Sequence, residues 1–235
     1  MLCETRYIWL LKMLKIIEEN VFDSRADCIV NTVNCVGFMG KGLAFEFALR
    51  YPELETRYID QCRKHQIHTG VLYFYDINGQ KIINFPTKFH FKHPSKIEWI
   101  ESGLDYFLMN YEKWQIKSIA FPLLGARNGG LDSRIVVDIM KQKLEKVTID
   151  VFICLNKKQD SLSLELCEKF KKCDIYMLCE ELKLNSKQTK VLLDAQRSIK
   201  NFSELIDLET IGSTTYRKIF AYLKNSDGPN QLSLF

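Results

Sequence analysis

The chain alternates short apolar runs, glycine-punctuated loops and amphipathic stretches. Residues 14–18 form a first apolar run with a strand pattern. Residues 26–33 read as a buried strand, with Cys28, Ile29 and Val30 in a row between Asp27 and Asn31. A loop carrying Gly37, Gly40 and Gly42 follows. Residues 43–49 then predict a helix that ends at Tyr51, because Pro52 disfavours helix in the residue before it. A second helix is expected over 52–64. Strands at 70–75 and 81–84 are joined by Asn78-Gly79, a dipeptide suited to a tight hairpin. Ser95 and Glu98 have capping-box spacing at the start of a helix reaching about Tyr111. A strand at 118–121, a second glycine loop at 124–131, a helix opened by Asp132 and reaching about Glu145, and a strand at 147–155 complete this part. Alternating strands and helices imply a mostly parallel sheet covered on both faces. The expectation is therefore an α/β unit over residues 13–155.

Beyond Asn156 the pattern changes. Residues 162–172, 175–184, 186–200 and 202–207 all read as helical. Residues 201–205 and 209–219 look like two helices joined by a turn at Gly212, which resembles a helix-hairpin-helix with one of its usual glycines. A helical extension is expected over 156–224, and residues 225–235 read as a polar link followed by an apolar tail. From residue 156 onward there are 13 basic and 11 acidic residues, so this is not a basic arm.

Composition narrows the classes. The 235 residues are 46% hydrophobic and 26% charged with 11 Gly and 5 Pro, which excludes collagen-like and largely disordered chains. The net charge of +4 permits contact with nucleic acid without arguing for it. No apolar stretch approaches the ~18 residues of a membrane span. The run at 7–11 has Glu4 and Arg6 ahead of it and no small-residue cleavage site, so no signal peptide is expected, and Met13 is a candidate start. The eight cysteines (3, 28, 35, 62, 154, 167, 173, 179) form no CxxC pair, and several sit in apolar runs. They read as small buried residues of a reducing, cytoplasmic compartment. His90 and His93 lack a third partner, so no metal is expected.

Two glycine loops, each after a strand and before a helix, carry the first chemical signal. Backbone N–H groups and helix N-termini at such junctions bind phosphates, and two in one small unit suit a diphosphate. Neither is a Walker motif or a clean GxGxxG, and tight turns alone would also explain the glycines. Asparagine at a strand end can hydrogen-bond sugar hydroxyls or simply form a turn. The segment from Asn84 to Pro94 mixes aromatic rings with Lys88, His90, Lys92 and His93. That mixture suits stacking on bases and contact with phosphates, or an ordinary polar loop with its aromatics turned inward.

These residues also carry a resemblance. Residues 26–34, ending in Val-Asn-Thr-Val-Asn, and Met39-Gly40-Lys41-Gly42 resemble the signature of the macrodomain family, which binds ADP-ribose. With Asn84-Phe85-Pro86-Thr87-Lys88, residues 94–100 and the loop from Leu124 to Leu131, they are similar to the DarG class of antitoxins, which remove ADP-ribose from thymidine bases modified by DarT toxins. The resemblance implies a three-layer α/β/α fold with a mostly parallel mixed sheet, followed here by a small all-helical C-terminal region. It implies ADP-ribose as ligand and product, no cofactor or metal, ADP-ribosylated single-stranded DNA as substrate and a DarT-like toxin as partner. Residue by residue, Asn20 stands at the adenine-reading position and Val21 supplies a backbone contact. Asn31 and Asn34 belong to the strand-end motif, Asn34 orienting the distal ribose. Gly40, Lys41, Gly42 and Leu43 form the first phosphate loop. Gly125, Ala126, Arg127, Asn128, Gly129 and Gly130 form the second, and Lys88 is the catalytic lysine.

Three positions depart from the class pattern. Arg127 replaces a glycine, and would either clamp a phosphate or narrow the groove. Ser133 replaces an aromatic residue, and His90-Phe91 stands for a His-Trp pair. Lys88 would act either as an ammonium beside the leaving base or as a neutral amine forming a Schiff base. A non-catalytic reader of ADP-ribose or a related NAD metabolite, and a hydrolase of ADP-ribosylated protein, are the alternatives. Gln231-Leu232-Ser233-Leu234-Phe235 resembles the peptide with which bacterial proteins dock on the sliding clamp; a packed chain end is the plainer reading.

Overall fold

A computed structural model of the protein describes residues 13–226. A six-stranded sheet has the order β1-β6-β5-β2-β4-β3. Its strands are β1 (Leu14–Ile17), β2 (Cys28–Val33), β3 (Tyr73–Ile77), β4 (Gln80–Pro86), β5 (Ser118–Pro122) and β6 (Asp150–Cys154). Every pairing is parallel except the β3–β4 hairpin. That hairpin turns through Asn78 and Gly79, both at positive φ, as the Asn-Gly dipeptide allows. The helices are α1 (Gly42–Arg50), α2 (Pro52–Arg63), α3 (Ile97–Asn110), α4 (Ser133–Leu144), α5 (Ser161–Lys172), α6 (Ile175–Glu181), α7 (Ser186–Gln196) and α8 (Ser213–Asn225).

The described chain forms two compact units, one of residues to Phe38 and 56–155, the other of 39–55 and from Asn156 onward. In the first, the period-2 pattern of the strands sorts their side chains. Cys28, Val30, Ile83, Phe85, Ile119, Phe121, Val151 and Ile153 join α3 and α4 in one core, through Ile100, Leu104, Phe107, Val136 and Met140. The alternate residues Ile29, Asn31, Ile82, Asn84 and Ala120 are also buried, so the central strands are covered on both faces, as in a parallel sheet. Tyr58 and Gln61 of α2 bond to Asn34 and to Tyr75 of β3.

The second unit has its own core. Phe45 and Leu49 of α1 are buried with Leu166 and Phe170 of α5, Leu178 of α6, Leu192 of α7 and Tyr216 and Phe220 of α8. α1 thus follows the glycine loop in sequence, but its apolar face belongs to the helical unit. Arg50 and Asp160, with side chains 6% and 5% exposed, pair at 2.7 Å, and Asp160 also caps α5 by accepting from the Ser163 N–H. Arg217 grips Glu55 with two bonds of 2.9 and 2.7 Å while its guanidinium lies 4.9 Å over the Phe45 ring.

Several element limits differ from the sequence expectation. Ser95 does not cap α3; Lys96 is the N-cap, and its side chain makes no capping hydrogen bond among the described residues. The second strand of the sheet's edge hairpin, β4, runs on to Pro86, and β3 starts at Tyr73, where pairing with Asn84 begins. α7 stops at Gln196, and residues 202–207 are a 3-10 turn capped by Asn201, whose side chain competes for the backbone as asparagine does. Gly212 is the N-cap of α8. Among the described residues no helix is long and apolar enough to cross a membrane.

Candidate active site

The strands β5, β2 and β4 are neighbours, and their carboxyl ends carry most of the candidate residues. The chain leaves β2 toward β4 on one side and β5 toward β6 on the other. Such a switch point is where open α/β sheets bind ligands. The ladder continues past the strands: the Thr87 N–H donates to the Val33 carbonyl and the Cys35 N–H to the Phe89 carbonyl, each at 3.0 Å. These bonds keep Asn34 and Lys88 on adjoining segments.

Asn34 is 6% exposed. Its Oδ1 accepts from the Val36 N–H at 2.9 Å and from the Tyr58 hydroxyl at 3.1 Å, and its Nδ2 donates to the Phe38 carbonyl at 2.7 Å. The amide is committed to the turn that it opens. Lys88 is half-buried, and its ammonium donates to the carbonyl of Phe91 at 3.5 Å and to that of Asn128 in the second glycine loop. Burial lowers its pKa below the ordinary lysine value. The Cys35 thiol donates to the Lys88 carbonyl at 3.4 Å, and burial pushes its pKa up to about 11, so it is no ready nucleophile.

The second loop is built by backbone contact. Leu131 N–H donates to the Gly125 carbonyl at 3.1 Å, and Ser95 N–H to the Gly129 carbonyl at 2.9 Å. A Cβ on Gly129 would lie 2.1 Å from the Gly125 oxygen and 2.4 Å from Ser95 Oγ, so no side chain fits. Ser95 is buried beneath this loop, and its Oγ has no hydrogen-bond partner among the described residues. Sequence reasoning missed it, because its spacing to Glu98 imitates a cap. Tyr58 was missed too; a helix tyrosine gives no local sign that its hydroxyl reaches Asn34. Ala126 is half-buried, while Arg127, Asn128 and Gly130 are exposed. Arg127 Nη2 donates to the Leu155 carbonyl at 3.0 Å, just past β6.

Elsewhere the candidates spread out. Asn20 caps a 3-10 turn (Val21–Asp23) by accepting from the Phe22 N–H at 3.3 Å, and Val21 is buried. Asn31 is fully buried in β2 and donates to Asn84 Oδ1 at 2.8 Å, its register partner on β4. Gly40, Lys41, Gly42 and Leu43 lie in the second unit, where Gly42 starts α1 at φ +59° and Lys41 is an extended N-cap. The rings of His90 and His93 are 5.3 Å apart, and among the described residues no three His, Cys, Asp or Glu side chains group as a metal site. Gln231, Leu232, Ser233, Leu234 and Phe235 lie outside the described residues.

A sequence profile of the Macro domain family matches residues 30–140. The solved macrodomain of Mycobacterium tuberculosis DarG is 35% identical, with a TM-score of 0.59 over 61% of this chain and 97% of that one. The chain belongs to the macrodomain family. Among curated proteins it is 37% identical to a DNA ADP-ribosyl glycohydrolase of Thermus aquaticus, over 57% of this chain and 38% of that protein. It is 36% identical to a DNA ADP-ribosyl transferase-DNA ADP-ribosyl glycohydrolase fusion protein of Thermosipho africanus, over 70% of this chain and 47% of that protein. The chain therefore spans less than half the length of these curated relatives. In this macrodomain the strand-end asparagine, the lysine after β4 and the second glycine loop fall on three adjacent strand ends of one unit.

Proposed function

We propose that the protein is a DNA ADP-ribosyl glycohydrolase, cleaving the N-glycosidic bond between ADP-ribose and thymidine bases of single-stranded DNA. The names of its curated relatives support DNA as the carrier of the ADP-ribose. The reach of the Lys88 ammonium to the Asn128 carbonyl carries the reading, because it sets a cation against the glycine loop suited to ADP-ribose. A pure reader has no use for that cation.

Cleavage builds positive charge on the ribose carbon and negative charge on the departing base nitrogen. A preorganised ammonium beside that nitrogen stabilises the transition state. Two carbonyl acceptors on Nζ favour the charged form of Lys88 over the Schiff-base amine. Water adds to the ribose carbon and gives up a proton, the base gains one, and the products are ADP-ribose and the unmodified base. The scheme needs no metal or cofactor. Asn34 acts as a positioning residue through the turn it holds. The backbone of residues 125–130, and separately that of Gly40, Lys41, Gly42 and Leu43 at the start of α1, are the phosphate binders of this reading. Asn20 and Val21 are its adenine contacts.

A DNA ADP-ribosyl transferase of the DarT kind would supply the substrate, and residues 231–235 would tether the protein to the sliding clamp in a bacterial cytoplasm. Incubation of the full chain with a single-stranded oligonucleotide bearing ADP-ribose on thymidine tests the activity. Free ADP-ribose and restored oligonucleotide are expected. Tight ADP-ribose binding without release would make it a reader.

A further inference from the structure

Beside Lys88 the first unit carries an aromatic cluster that is not in its core. Phe38, Phe89 and Phe91 are 48%, 60% and 39% exposed. The Phe38 and Phe91 ring centroids are 4.6 Å apart, and the His90 ring stacks on Phe91 at 4.4 Å. Lys92 Nζ lies 5.9 Å from the Phe91 ring centre. The Cys35–Phe89 backbone bond ties the two segments together.

Large exposed rings cost solubility, so a contiguous set of them beside a site points to an occupant. The charge around the rings selects its kind. Neither the 34–38 turn nor the segment 87–96 contains an acidic residue, whereas the latter holds Lys88, Lys92 and Lys96 with His90 and His93. Flat apolar faces within a cationic surround fit unstacked bases on a phosphate backbone. A duplex hides its base faces, and an acidic peptide offers none.

We propose that Phe38, Phe91 and Phe89, with Lys92, form a stacking platform for the nucleotides that flank the modified base in a single DNA strand. This rests on the glycohydrolase reading, which brings the modified nucleotide to Lys88 and so leads its neighbours past these rings. The platform supplies affinity for the strand; Lys88 acts on the bond.

The test compares the parent with a Phe38→Ala/Phe91→Ala double variant, and with Phe91→Trp, which keeps a π-face. Substrates are an ADP-ribosylated 12-mer and ADP-ribosylated thymidine monophosphate. On the 12-mer the double variant is expected to raise KM about tenfold or more, since stacking contributes ~1–3 kcal/mol per base, with kcat nearly unchanged. Phe91→Trp should retain the parent's KM. On the mononucleotide all three should agree, and unchanged ADP-ribose binding controls for folding. Equal KM on the 12-mer would overturn the platform, as would a loss of the same size on the mononucleotide. Binding of unmodified, fluorescein-labelled oligo-dT, read by polarisation, tests it without turnover. If the parent cleaves neither substrate, the glycohydrolase reading fails, and the platform stands only if the double variant binds oligo-dT about tenfold more weakly. Equal oligo-dT binding, or an effect seen only on an ADP-ribosylated peptide, would assign the rings elsewhere.

Discussion

The Lys88 ammonium donates to the main-chain carbonyl of Asn128, which joins the segment after β4 to the loop after β5. The bond places a partly buried cation at the sheet's switch point, the place where open α/β sheets bind ligands. Burial depresses the Lys88 pKa below 10.5. If the ammonium is the working form, turnover should fall on the alkaline limb at a pH below 10.5. A pH–rate profile checks this; a rate that climbs through that limb would favour the neutral amine.

Gly129 permits the closest backbone approach in the site. A methyl group there would meet the Gly125 carbonyl at 2.1 Å, so Gly129→Ala must displace the loop. We expect ADP-ribose affinity to fall at least tenfold and stability to fall by about 1–3 kcal/mol, the usual cost of overpacking. Calorimetry and urea unfolding measure both, and an unperturbed variant would contradict the loop's geometry.

The pairing of Arg50 with Asp160 joins α1 to the first turn of α5 away from water. Arg50→Ala leaves a buried carboxylate without its cation, a change that typically costs about 3–5 kcal/mol. Arg50→Met with Asp160→Asn should recover part of that loss. Denaturant titration of the three proteins would show it, and a loss under about 1 kcal/mol for Arg50→Ala would mean the pair is dispensable.

Asp27 accepts from the Lys117 N–H at 2.9 Å and pairs with Lys81 at 3.0 Å. Burial opposes its charge, but these partners outweigh burial and lower its pKa below 3.8. The folded state thus favours the carboxylate. Its contribution is present above the unfolded value near ~3.9 and is lost as pH falls through the folded value. Asp27→Asn should be less stable by about 1–2 kcal/mol at pH 7, and the gap between the melting curves of the two proteins should close as pH falls below 3.8, through the lowered folded-state value. A gap that persists there would reject the linkage.

Much of the fold was legible because the strands at Cys28–Val33 and Asp150–Cys154 carry short apolar runs, Cys28-Ile29-Val30 and Val151-Phe152-Ile153-Cys154, and the Asn78-Gly79 turn is strongly local. Lys88 and the second glycine loop were legible as motifs. The Lys88–Asn128 contact was not, since it depends on β4 and β5 flanking β2 in a strand order that no single segment encodes. Ser95 shows the opposite failure: a correct capping spacing with Glu98 was overridden because its serine is buried under Gly129. In the segment from Asn84 to Pro94 the rings of Phe89 and Phe91 are exposed and that of Phe85 is buried, and only tertiary structure separates an inward from an outward aromatic residue.

The most direct test of the account is single-turnover release of ADP-ribose from thymidine-modified single-stranded DNA by the parent, Lys88→Ala and Lys88→Arg, with ADP-ribose binding measured in parallel. Removing one preorganised charge from a transition state commonly costs about 100–1,000-fold. Lys88→Ala should lose activity on that scale while still binding ADP-ribose, and Lys88→Arg, which keeps the charge, should retain a measurable fraction. Full activity in Lys88→Ala would contradict the central role given to this residue.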